Sequence, residues 1–139
     1  MRLAVVCVFV LSLVTGAAAP TQFRASRAGD ILTIDSLTGE DTFKAYCAPC
    51  HGRTGAGDGP VASVLRTPPA DLRTLTSRHG SFPRDELTAF VTGTGRPVAA
   101  HGTSDMPIWG VIFRSLDPDD ARVKVRLQNV VNYIESLQR

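Results

Sequence analysis

Cys47-Ala48-Pro49-Cys50-His51 is the stretch whose reading decides the fold. Two cysteines three apart, followed directly by histidine, form the attachment pattern of c-type haem. In that chemistry both thiols add to the porphyrin's vinyl groups and the imidazole takes an axial place on the iron. On a helix, positions three apart lie about one turn from each other on the same face. Both sulfurs therefore reach one side of a flat macrocycle while the next residue turns toward its centre. A bare Cys-x-x-Cys also suits a thioredoxin-type redox pair or half of a zinc site. The first needs a strand leading into the motif, and the second needs another ligand pair. Cys7 is the only other cysteine, and His79 and His101 are too far away for a finger pattern.

Upstream, Arg2 precedes the apolar run Leu3 to Val14 and the small residues Thr15-Gly16-Ala17-Ala18-Ala19. That order of charge, apolar run and small residues reads as a secretory signal peptide over residues 1–19, ending at Ala17, Ala18 or Ala19. The run is shorter than the roughly 20 residues that cross a bilayer's hydrocarbon core, so cleavage is expected over anchoring, with an uncleaved tether as the minority reading. Export to the periplasm or another outer compartment follows. Cys7 then leaves with the leader, and no disulfide can form once the haem has taken Cys47 and Cys50. A small exported domain without disulfides needs another staple, and a buried macrocycle serves as one, so the haem-free chain is expected to fold poorly. Losing Arg2 lowers the formal net charge of +2 by one. No polybasic run is present, so nucleic acid is not suggested as a partner.

Residues 20–37 read as an irregular lead-in in which Ile31-Leu32-Thr33-Ile34 is a short apolar patch. One domain follows over 38–139, by size and by the absence of repeats. Thr38 is placed to cap a first helix, with Glu40 and Asp41 in its first turn and Phe43, Tyr46, Cys47 and Cys50 on one face. A glycine-rich loop from Gly52 to Pro60 fits neither phosphate-binding fingerprint. Pro60 opens a short helical segment, Arg66-Thr67-Pro68-Pro69 forms an extended connector, and Asp71 caps a short helix closed by Gly80. Another helix runs from about Pro83 to Val91 with Gly93 as its stop. Asp117-Pro118 reads as cap and first turn of a last helix with the stripe Val123, Leu127, Val130, Ile134 and Leu137. Arg122, Lys124 and Arg126 fall mostly on its other face.

The second chemical feature is the segment from His101 to Gly110. A haem iron held by His51 has one more axial site. Met106 is favoured for it, because Pro107 biases the preceding residue toward an extended loop and no other methionine remains after the leader. His101 and an open site stay as alternatives. Arg53, Arg66, Arg96 and Trp109 are candidates for steadying the haem propionates.

With these motifs in place the chain resembles a monohaem class I c-type cytochrome from about Thr38 to Leu137. Its Pro-Pro connector and the His-Gly segment before Met106 are nearer to small bacterial exported cytochromes. Only Lys44 and Lys124 are present, so the lysine ring of the mitochondrial carrier is not expected. The resemblance implies an all-α, cytochrome c-like orthogonal bundle of short helices around one covalently bound haem c. It implies attachment at Cys47 and Cys50, iron ligands His51 and Met106, a hydrogen bond from His51 to the Pro60 carbonyl, and a crossing of first and last helices near Gly39 and Tyr133. The expected function is outer-sphere electron transfer with redox proteins or a membrane-bound oxidoreductase as partners, and no small-molecule substrate is required. The alternatives are an electron-transfer subunit of a larger complex, or a small haem enzyme or gas sensor with an open distal site.

Overall fold

The chain from Thr38 onward enters a helix whose start is fixed by side chains. A computed structural model describes residues 34–94 and 106–139; Arg96, His101 and residues 1–33, which include the stretch expected to be a leader, lie outside the described residues. Helix α1 spans 39–51. The Thr38 hydroxyl accepts from the Asp41 amide at 3.2 Å, and Glu40 and Asp41 occupy its first turn, as the capping pattern predicts. The middle of α1, Phe43–Cys47, is wound as a π-helix, between α-helical Gly39–Thr42 and Ala48–His51. Pro49 explains the widening. It has no N–H to give the carbonyl four residues back, and its ring would press on that carbonyl in an α-turn. Instead the Ala48 amide donates to the Phe43 carbonyl, five residues back.

A glycine-rich loop and a 3-10 turn at Ala62–Val64 follow. Asp71 caps the 3-10 turn Leu72–Thr74, which runs into α2, Leu75–His79, and Gly80 closes it. Helix α3 is Arg84–Thr92 and ends at Gly93. Helix α4 is Trp109–Leu116 and α5 is Asp120–Ser136. The described residues contain helices and no strand, so the all-α expectation holds.

α1 lies across α5. The contact is possible because residue 39 is glycine: a Cβ there would overlap the Asn129 carbonyl and stand 2.8 Å from the Tyr133 Cβ. Next to this crossing, Phe43 is fully buried with its ring 5.3 Å from that of Tyr133. Burying such a side chain contributes roughly 2–3 kcal/mol. The crossing near Gly39 and Tyr133 is therefore where the resemblance put it. Phe43, Ala48, Leu72, Val130 and Ile134 form one apolar cluster, and Val91, Phe113, Val123 and Leu127 form a second. Leu87 of α3 packs on both.

Three expectations are corrected. Helix α4 takes Trp109 and Gly110 from the segment read as a loop and continues over residues 111–116, to which the sequence reading assigned no element. Its Trp109, Phe113 and Leu116 recur at steps of four and three, and Trp109 and Phe113 turn into the second cluster. Asp117 does not cap α5. It ends α4 and accepts from the Asp119 amide, while Asp119 accepts from the amides of Ala121 and Arg122. Arg126 is not on an outer face but 5% exposed. Its guanidinium donates to the carbonyls of Ile34 and Ser36 at 2.8 Å each and lies 5.7 Å from the Phe113 ring centre. With Asn129 donating to the Leu37 carbonyl, α5 fastens the lead-in residues 34–37 to the domain.

Candidate haem site

The last turn of α1 carries Cys47, Cys50 and His51, all half-buried, and both thiols are free. Cys47 packs against the first cluster, as Leu75 and Leu87 do. Burial, with Cys50 adding a smaller contribution, pushes its thiol up to about 12. A thiol held neutral so far above physiological pH is a poor attacking group for disulfide exchange, which counts against a thioredoxin-type pair. It remains able to form a thioether.

His51 is oriented by its backbone surroundings. Its Nδ1 lies 3.0 Å from the Ala70 carbonyl. A carbonyl only accepts, so Nδ1 carries the proton and donates, and Nε2 keeps its lone pair for a metal. Burial lowers the imidazole's pKa, and the bond to Ala70 works more weakly the other way. The neutral form, the one that ligates iron, is thereby favoured.

The acceptor is Ala70, not Pro60, which corrects the expectation drawn from the resemblance. Pro60 opens the turn into Ala62–Val64, in which the Val61 amide is taken up by the Pro49 carbonyl. The extended connector instead runs back along the loop. Gly57, at φ +83°, lets it come close: a Cβ there would stand 2.5 Å from the Pro69 carbonyl. The Leu72 amide then donates to the Gly55 carbonyl at 2.8 Å and pins the connector's far end. A backbone acceptor leaves no mark on residue type, so only the Pro-Pro extension hinted at it.

Met106 is half-buried and packs against the second cluster with Tyr46, Leu87 and Trp109. Cys47 and Met106 thus border two clusters joined through Leu87. Tyr46 leaves the face it was expected to share with the cysteines and joins Trp109 and Phe113 in an aromatic group, with ring centres 5.0–5.5 Å apart. Trp109 is committed to that group. Arg53 and Arg66 are exposed on the loop and connector. A shallow cavity of about 140 Å³ opens among Ile34, Tyr46, Phe113, Pro118 and Arg126, and none of Cys47, Cys50, His51 and Met106 lines it.

The donor set fits haem c: two unpaired thiols one turn apart, an imidazole with its outer nitrogen already bonded, and a thioether against an apolar wall. A family model described as cytochrome C oxidase, cbb3-type, subunit III matches residues 35–122. The chain belongs to that family. It is a monohaem class I c-type cytochrome, with covalently bound haem c and a role in electron transfer. The matched stretch takes in the haem motif, Met106 and α1 to α4 of this cytochrome. No curated protein and no solved structure matches it.

Proposed function

We propose that Cys47 and Cys50 carry the two thioether links, that His51 Nε2 and the Met106 sulfur hold the iron axially, and that the cytochrome works outside the cytoplasm after losing residues 1–19. The observation that carries this reading is the bond from His51 Nδ1 to the Ala70 carbonyl, which presents Nε2 as a donor one residue from the second thiol. Bound haem c supplies a one-electron Fe(III)/Fe(II) couple. The chain's own residues hold it at the end of α1, keep the imidazole neutral and offer a soft thioether that favours Fe(II). No bond to a substrate is needed, so the protein passes electrons between partners and is not an enzyme in itself.

Redox proteins are the partners of such a carrier. The family description supports a second, narrower reading in which the partner is a membrane-bound terminal oxidase complex and this chain is an electron-transfer subunit of it. Co-purification with such a complex from gently solubilised membranes separates the two.

Spectroscopy tests the ligand set. The ferric wild-type protein is expected to show the weak far-red sulfur-to-iron band, and the ferrous protein to exclude carbon monoxide. Met106→Ala should lose the band and bind the gas readily. Rapid binding by the wild type, unchanged in Met106→Ala, would defeat the assignment and favour an open-site sensor or enzyme. Mass spectrometry of the secreted chain reads the mature N-terminus and the added haem in one measurement.

A further inference from the structure

The carbonyl that orients His51 belongs to a stretch without regular structure, yet the residues just after it are fastened from the far end of the chain. The Gln138 side chain donates to the carbonyls of Leu72 and Ile134 at 2.8 Å each and accepts from the Thr76 amide at 2.9 Å. The Arg139 amide donates to the Arg73 carbonyl at 3.1 Å. Within the same turn the Arg73 guanidinium makes a two-pronged bond to Asp71, 2.8 Å to one oxygen and 2.6 Å to the other. Arg78 and the Thr74 hydroxyl both donate to the Asp71 carbonyl. Asp71 follows Ala70 directly, so these bonds anchor the residue next to the Ala70 carbonyl.

We propose that Gln138 and the Asp71–Arg73 pair are positioning residues for the axial imidazole, through which the C-terminal end of α5 keeps the Ala70 carbonyl on the His51 Nδ1 proton. The consequence is electronic. A ligating histidine that donates its outer N–H to an acceptor becomes a more basic ligand, and a more basic ligand favours Fe(III). Loosening the turn weakens that bond and moves the couple toward Fe(II). The inference rests on His51 being an iron ligand, as proposed above.

The test uses the folded holoprotein poised against a redox dye of fixed potential. Gln138→Met keeps length and removes every side-chain hydrogen bond. It is expected to raise the ferrous-to-ferric ratio about threefold, or about 30 mV at 59 mV per tenfold change for one electron. Arg73→Lys retains a charge beside Asp71 but loses the two-pronged geometry, and should move the ratio the same way by less. Arg84→Gln removes the pair with Glu135 on α5. It should lower stability and leave the ratio alone. An unchanged ratio in Gln138→Met, or an equal shift in Arg84→Gln, overturns the proposal.

Should Gln138→Met fail to fold, proton NMR of the wild-type ferric protein decides. The His51 Nδ1 proton is expected to exchange with solvent in step with the Thr76 and Arg139 amides. A Nδ1 proton that exchanges while those amides stay protected overturns the device. A Nδ1 proton with no paramagnetic shift would instead remove His51 from the iron, a distinct failure of the reading beneath it.

Discussion

At the scale of single residues, two buried polar side chains behave in opposite ways. Arg126 is charged and nearly inaccessible, yet its guanidinium has two carbonyls and an aromatic face as partners. Arg126→Leu would strip those carbonyls of their donors and should lower unfolding stability by about 2–3 kcal/mol, read from the urea midpoint. Thr42 is also fully buried, and its hydroxyl has no partner in the structure. Thr42→Val keeps the branched shape and removes an unmet polar atom, so it should gain about 1 kcal/mol in the same assay. Neither behaviour was legible in the sequence. The partners of Arg126 lie 90 and 92 positions away. A charged residue one step off an apolar stripe looks like surface until those carbonyls are in place.

Among the elements, helix ends with a single capping candidate were the most readable. Thr38, Asp71 and Gly93 each sit where local chemistry leaves little choice, and α1, the turn into α2, and α3 begin or end there. The run Asp117-Pro118-Asp119-Asp120 is degenerate, because three of its residues can cap. Taking the first Asp as a beginning concealed that it is an ending, and α4 went unrecognised behind it. The π-wound turn of α1 was likewise hidden, since the 3.6-residue period assumes that the helix never widens. The α1–α5 crossing, by contrast, depends on one small residue. Gly39→Ala would drive a methyl group into the Asn129 carbonyl and force the helices apart. It should cost about 2–3 kcal/mol by thermal or urea unfolding, with no direct contact to Cys47, Cys50 or His51.

Over the whole molecule, stability should fall in acid for a reason that can be located. Asp71 is held down to about 2, chiefly by the Arg73 side chain. Asp41 is lowered by the Ser36 hydroxyl and then that of Thr38, and Asp117 by the Asp119 amide and then Arg122. Each has a folded pKa below the unfolded value of about 3.9. Their contribution is therefore complete above about pH 5 and disappears as pH drops toward about 2. Asp41 is exposed and Asp71 and Asp117 are half-buried at the surface, so added salt should flatten the trend, most for Asp41. Denaturation midpoints measured from pH 6 to pH 2 check this, and Asp71→Asn should reduce the slope at the acidic end. The site follows the same division between local and distant information. The cysteines and His51 were readable because their spacing is the chemistry, whereas the acceptor on Ala70 depends on how two distant backbones meet.

The grip of α5 on residues 34–37 also settles a mechanical question. Any tug on the polypeptide ahead of Ile34 is met first by the guanidinium of Arg126 and the amide of Asn129, and only afterwards by the start of α1. The strap thus acts as a strain relief: load arriving from ahead of residue 34 is stopped at α5, and the turn bearing the pigment stays unloaded.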